Sequence, residues 1–294
     1  MKPSPFAYHA PTTLAETLDL LADLDDAKLL AGGQSLMPMM NFRYVAPEHL
    51  IDLNQVAGLD RIELGEKYVR LGAMVRQRSL LTHDALNACC PLFREALEWV
   101  GHIATRNRGT LGGSLSHLDP AAELPVVCMA LNAEVEIASS EGQRTVQATQ
   151  WPVAYMLPNI DEHELLIGIR FARPDTSFGA RTGMAFSEFA RRHGDFALAA
   201  VAIVVALDDD DTVTHASVAL GGVDDVPLRL SAAEELLIGR RADAGVVTTA
   251  ARAALELPGF EDVHASATYR RKVAMTLLER TLSTALMRAR ESQT

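Results

Sequence analysis

The chain has 294 residues, 48% of them hydrophobic, and a formal net charge of −11. That much apolar material excludes a disordered chain, and the acidic balance excludes a basic field for nucleic acid or an anionic membrane surface. The length predicts one composite unit of two or three small lobes.

Near the N-terminus, Thr13-Leu-Ala-Glu16 has the form of a capping box opening an amphipathic helix through Leu14, Leu18, Leu20, Leu21 and Leu24. Lys28 to Ala31 is expected as a short buried strand running into a glycine turn, and His49 to Leu53 as a second strand, giving a β-α-β lobe. Beyond Val56, Lys67 to Leu71 alternates as a strand, Ser79 to Leu86 suits a short helix and Pro91 to His102 a longer one. A second glycine run follows. Ala133 to Ile137 and Arg144 to Ala148 flank a hairpin signal at Ser139 to Gly142, and Glu164 to Phe171 is a further strand.

After Arg173-Pro174-Asp175, two β-forming segments, Ala199 to Leu207 and Thr212 to Leu220, are joined by Asp208 to Asp211, expected as a solvated hairpin tip. Ser231-Ala-Ala-Glu234 is expected to cap a helix closed near Gly239, and Ala267 to Arg290 to form the longest helix. No stretch approaches the roughly 20 apolar residues of a membrane span, and Met1 to Ala10 lacks the apolar centre of a secretory signal, so a cytoplasmic protein is expected. Cys89, Cys90 and Cys128 have no C-x-x-C spacing and are expected as buried filler rather than cluster ligands.

The two glycine runs, Ala31-Gly32-Gly33-Gln34-Ser35 and Thr110-Leu111-Gly112-Gly113-Ser114, carry the chemistry. Small residues followed by a hydroxyl let backbone N–H groups approach an anion, and two such runs beside apolar segments suggest two halves of one diphosphate cradle. Neither a Rossmann G-x-G-x-x-G nor a P-loop is present. Ser116, His117 and Asp119 invite a hydrolase reading, but no G-x-S-x-G elbow accompanies them, and His117 lacks a second ligand at metal spacing.

The segments Lys28-Leu-Leu-Ala-Gly-Gly-Gln-Ser35-Leu36, Arg106-Asn-Arg-Gly-Thr-Leu-Gly-Gly-Ser114, Asp119-Pro-Ala-Ala-Glu-Leu-Pro125 and Arg191-Arg-His-Gly-Asp-Phe196-Ala are together similar to the FAD-binding medium subunit of the molybdenum hydroxylases. The resemblance covers essentially the whole chain. It implies an α+β fold: a two-lobe FAD-binding unit of the PCMH/vanillyl-alcohol-oxidase type, residues 1–55 and 56–175, followed by a C-terminal lobe, 176–294, with a small antiparallel sheet and helices.

By the same resemblance, Lys28, Leu29, Leu30, Ala31, Gly32, Gly33, Gln34, Ser35 and Leu36 wrap the FAD diphosphate and ribityl chain, and Thr110, Gly112, Gly113 and Ser114 form the other half of the cradle. Asp119 and Glu123 match positions that contact the ribityl or flavin region. Ile103, His117 and Leu165 join the cofactor set, and Phe196 lies against the isoalloxazine ring, where an aromatic face adds stacking and excludes solvent. Ser187 stands where the xanthine dehydrogenase domain has a lysine near the flavin. Tyr269-Arg270-Arg271 is expected to tie lobes together or face a partner.

The implied function is an electron-transfer subunit of a molybdopterin-dependent complex. Electrons arrive from iron-sulfur clusters on a small subunit, a molybdopterin large subunit performs the substrate chemistry, and the assembly is a dimer of heterotrimers. No catalytic residue and no metal site is expected on this chain. The rivals are a stand-alone flavin oxidoreductase of the same fold, a benzoyl-CoA-type reductase subunit with an extra cluster, and a non-enzymatic assembly protein.

Overall fold

A computed structural model describes residues 2–292. The first strands and helices are β1 (Ala7–His9), α1 (Leu14–Asp23), β2 (Ala27–Leu30), α2 (Leu36–Asn41) and β3 (His49–Asp52). The strands form a parallel sheet in the order β1-β3-β2. Helix α1 starts where expected: Thr13 is extended, its hydroxyl accepts the Glu16 N–H at 3.2 Å, and the Glu16 carboxylate accepts the Thr12 N–H at 2.9 Å. Leu21 and Ile51 close this core.

A five-stranded antiparallel sheet follows, built from β4 (Ile62–Leu64), β5 (Tyr68–Gly72), β6 (Glu134–Ser139), β7 (Gly142–Gln147) and, after a small pair β8 (Pro152–Ala154) and β9 (Leu157–Pro158), β10 (Leu165–Ala172). Its order is β4-β5-β10-β6-β7. Six helices lie between β5 and β6: α3 (Gln77–Thr82), α4 (Asp84–Cys89), α5 (Leu92–Trp99), α6 (Ile103–Arg108), α7 (Leu111–His117) and α8 (Glu123–Ala130). Two expected helices are broken. His83 leaves the helical region and lends Nδ1 to the Leu86 N–H at 3.1 Å, separating α3 from α4. Val100 is extended and Gly101 has φ +40°, so α5 stops at Trp99 instead of reaching His102.

The third sheet is antiparallel in chain order: β11 (Thr182–Ala190, after the short helix α9, Pro174–Ser177), β12 (Ala197–Leu207), β13 (Val213–Gly221) and β14 (Leu228–Arg229). Helices α10 (Ser231–Leu237), α11 (Ala244–Arg252) and α12 (Ala267–Glu291) cover it. Every residue of β12 is buried, with Ala200, Ala202 and Val204 in the core shared with α8, and Val201, Ile203 and Val205 in the core under α12. Strand β11 had no counterpart in the sequence reading.

The acidic tip between β12 and β13 is solvated as expected, with Asp208, Asp209 and Asp210 exposed; in addition Asp208 Oδ1 accepts the N–H groups of Asp210 and Thr212 at 3.0 and 2.8 Å, and Asp211 pairs with Arg181 and Arg290. One local expectation gives way. Ser231 is the first residue of α10, not its cap, because the Glu234 carboxylate is drawn away to the Val218 N–H and Arg229 Nε, both at 2.7 Å. Among the described residues no helix is long and apolar enough to cross a membrane.

Candidate functional site

After β2 the chain turns through Ala31, Gly32 and Gly33, the last with φ +70°, a region glycine enters freely. The carbonyls of this turn are occupied: Ala31 O accepts Asn54 Nδ2 (3.0 Å), Gly32 O accepts Gln34 Nε2 (3.2 Å), and Gly33 O and Ser35 O accept the N–H groups of Met37 and Met39 (3.3 and 3.1 Å). The N–H groups of Gly32, Gly33, Gln34 and Ser35 have no partner among the described residues. With four of its five carbonyls used and four N–H donors free, the Ala31–Ser35 stretch is suited to an anion.

The second glycine run differs from the loop expected. It is helix α7, nucleated by Thr110, whose hydroxyl accepts the Gly113 N–H at 3.1 Å. Leu111 N and Gly112 N donate to Val75 O and Ala73 O at 3.0 and 2.8 Å, and Ser114 N donates to Thr110 O at 3.2 Å. The run leaves only the Thr110 backbone N–H without a partner among the described residues. Its glycines serve close approach instead: a Cβ on Gly112 would stand 2.7 Å from Ala73 Cβ, and one on Gly113 would stand 3.5 Å from Ala31 Cβ. A Cβ on Gly32 would stand 2.3 Å from Arg108 O. The two runs do meet, one as a donor wall and the other as a bare wall.

A polar joint that the sequence reading did not name locks them together. Tyr8 donates to Asp52 at 2.5 Å, Asp52 accepts the Asn54 N–H at 2.9 Å, and the Arg76 guanidinium donates to Asn54 Oδ1 and to Arg108 O. Burial pushes the Asp52 carboxyl up, but the bonds from Tyr8 and Asn54 and the nearby Arg108 outweigh it, leaving it below the ordinary carboxylate value.

At the far end of α7, Leu118 adopts φ +50° and Asp119 Oδ1 accepts the Ala121 N–H at 2.8 Å, a tight turn that leaves His117 and Asp119 half-buried and leads into α8 at Glu123. Burial lowers the His117 pKa, opposed by Asp119. The Glu123 carboxyl is pushed up to about 7, mainly by burial. Facing this turn is the segment between β11 and β12, where Phe196 is 74% exposed. A cleft of about 210 Å³ lies between them, lined by Asp119, Pro120, Tyr155, Phe196 and Arg270 among others.

Residues 4–174 match the family described as the FAD binding domain in molybdopterin dehydrogenase, and residues 184–285 the CO dehydrogenase flavoprotein C-terminal domain. The chain is 40% identical, over its whole length and 98% of the relative's, to the 6-hydroxypseudooxynicotine dehydrogenase complex subunit alpha of Paenarthrobacter nicotinovorans. Solved structures agree: a chain of quinoline 2-oxidoreductase from Pseudomonas putida 86 superposes with TM-score 0.92 at 35% identity, covering 98% of this chain and 99% of that one. A chain of carbon monoxide dehydrogenase from Hydrogenophaga pseudoflava gives 0.93 at 36%, with the same coverage. The chain belongs to the FAD-binding subunits of the molybdenum hydroxylases. It is an oxidoreductase subunit with FAD as the cofactor of its N-terminal domain.

Against FAD, the donor wall Gly32–Ser35 fits a diphosphate, Lys28 is exposed on β2, and the exposed Phe196 fits an aromatic ring. Ile103, 69% exposed, opens α6 beside the Phe196 segment, since Gly194 packs on the Gly101 carbonyl. Leu165 is 2% exposed and packs in the core beneath the first turn. Thr110 is 2% exposed, and its hydroxyl accepts the Gly113 N–H. Ser187 shares a face of β11 with Ala185, toward α12; its neighbour Glu188 is on the opposite face, within electrostatic reach of Glu123.

Proposed function

We propose that this chain is the flavin electron-transfer subunit of a molybdopterin-dependent hydroxylase or dehydrogenase complex. It takes electrons from iron-sulfur clusters on a small partner subunit, works beside a molybdopterin large subunit in a cytoplasmic dimer of heterotrimers, and passes the electrons to an external acceptor. In this reading residues 1–55 and 56–175 hold FAD and 176–294 closes over it. Bound FAD supplies a carrier that accepts and releases electrons singly or in pairs.

The observation that carries the reading is the donor wall at Gly32–Ser35 packed on the bare face of α7. The wall binds the diphosphate, Gly113 and Ser114 let the ribityl chain lie close, and Phe196 covers the ring and excludes water. His117, Asp119 and Glu123 border the ring's polar end. The cysteines support the division of labour: burial pushes Cys128 up to about 12 and Cys90 well above its ordinary value, so neither furnishes a thiolate.

The test is the absorption spectrum of the purified chain after reconstitution with FAD, followed by affinity purification from its native host with iron and molybdenum analysis. Flavin bands with co-purified iron and molybdenum support the reading. A chain that binds no FAD sinks it, and a flavin-loaded chain that oxidises substrate alone establishes the stand-alone oxidoreductase instead.

A further inference from the structure

Glu188 is 5% exposed, and neither of its carboxyl oxygens has a partner. It stands on the inner face of β11, in register with Ala200 of β12, which is itself in register with Gly221 of β13. The two small neighbours leave space that the α7–α8 segment fills: a Cβ on Gly221 would lie 2.6 Å from Val126 and 3.3 Å from Pro120 O. This row brings Glu188 within electrostatic reach of Glu123, on the first turn of α8.

Neither carboxyl is paired with a cation among the described residues. Among the described residues, the charged groups on α5, α8 and the turn before α8 are Glu123, Asp119 with His117 beside it, exposed Glu98, Arg94, which pairs with Asp84 and Leu81 O, and Glu95. Glu95 is already committed to Arg288 at 2.6 Å and to the Phe186 N–H at 2.8 Å. Two carboxyls facing each other without a cation cannot both be ionised cheaply, so the pair holds a proton near neutrality. Glu188 is then a neutral acid with one donor and one acceptor, both unspent.

We propose that Glu188 is a positioning residue for the cofactor: with Glu123 it forms a proton-holding carboxyl pair that grips the polar edge of the FAD ring. This rests on the FAD reading above. That ring edge alternates carbonyl acceptors with an imide N–H donor, which a neutral carboxyl complements and two carboxylates repel. FAD binding therefore needs a proton on the pair.

The experiment measures the FAD dissociation constant of the apo-chain by flavin fluorescence from pH 7 to 10, in wild type, Glu188→Gln and Glu188→Ala. Burial pushes Glu188 up to about 9. Above that pH the wild type is expected to weaken relative to Glu188→Gln, approaching tenfold per pH unit, while the ring's own imide ionisation cancels in the ratio. Glu188→Ala is expected to bind at least tenfold more weakly than wild type at pH 7, and Glu188→Gln to recover most of that loss. Infrared difference spectra of wild type on adding FAD are expected to show a protonated-carboxyl band that shifts, and this reading survives even where a variant fails to fold. Parallel pH profiles for wild type and Glu188→Gln, or no carboxyl band responding to FAD, overturn the proposal. A wild type that binds no FAD at any pH refutes the cofactor reading itself.

Discussion

Gly32→Ala tests the meeting of the two walls. The glycine needs no unusual backbone angle, so the new methyl acts by contact alone, at 2.3 Å from Arg108 O, with the Arg108 carbonyl carbon and Gly109 Cα at 2.9 Å. A carbon–oxygen contact tolerates no less than about 3.3 Å, so the first turn must move about 1 Å off the α6–α7 junction. The bond from Asn54 Nδ2 to Ala31 O, now 3.0 Å, spans the same joint, as does the bond from Arg76 to Arg108 O. Overpacking of this kind costs about 1–3 kcal/mol, and each lost bond adds about 1 kcal/mol. Donors moved by that distance lose their grip on a diphosphate, so FAD affinity should fall at least about tenfold, equivalent to about 1.4 kcal/mol. Gly245→Ala, in the first turn of α11 far from the two walls, where a Cβ would stand 3.2 Å from Asp243 Oδ1, is the control and should leave FAD affinity unchanged. The assay pairs urea denaturation of the apo-chain with FAD titration. If Gly32→Ala matches wild type in both, the packed-wall account is wrong.

Gly112→Val should fail earlier in the chain of events: its side chain would enter Ala73, so the apo-chain is expected to lose soluble yield and cooperative unfolding, and a well-folded variant lacking only FAD affinity would count against this. Phe196→Ala should leave apo stability within about 0.5 kcal/mol because the ring is exposed, while bound flavin becomes more fluorescent and dissociates faster; a large drop in stability would mark Phe196 as core instead. Stability should also fall with rising pH. The folded Glu188 carboxyl is raised to about 9 against about 4.3 in the unfolded chain, so between these values the folded state holds a proton that the unfolded state has released. The contribution is complete below pH 4.3 or so and is lost as pH climbs through about 9, at no more than about 1.4 kcal/mol per unit. Glu188→Gln should flatten that slope in urea midpoints measured from pH 6 to 9, and parallel slopes would exclude the group as its source.

Much of the architecture was legible because local signals sufficed. Thr13 and Glu16 announce α1, the hairpin at Ser139 to Gly142 is a turn signal between alternating strands, and the four-segment resemblance carried fold and cofactor together. What escaped depends on tertiary context. The second glycine run shares the Gly-Gly pair and closing serine of the first, yet Thr110 caps it into a helix and Ala73 and Val75, just after β5, supply its carbonyl partners, neither of which spacing reveals. Strand β11 hides because its inner face carries Glu188 and its outer face packs Gly183 against α12, breaking the apolar alternation that marks a strand. The joint of Tyr8, Asp52, Asn54 and Arg76 joins residues far apart in sequence, and no local motif points to it.

Strand β12 has a consequence for how the chain can be divided. Its alternate residues belong to two different interiors, one shared with α8 and one with α12, while Ser217 on the adjoining strand donates to Ala130 O at 2.5 Å. A protease nick near residue 175 would thus leave two fragments that still grip one another. Separating them would strip Ala200, Ala202 and Val204 from their cover, so each fragment made alone should be a client for chaperones, and mixing the two should restore solubility that neither has by itself.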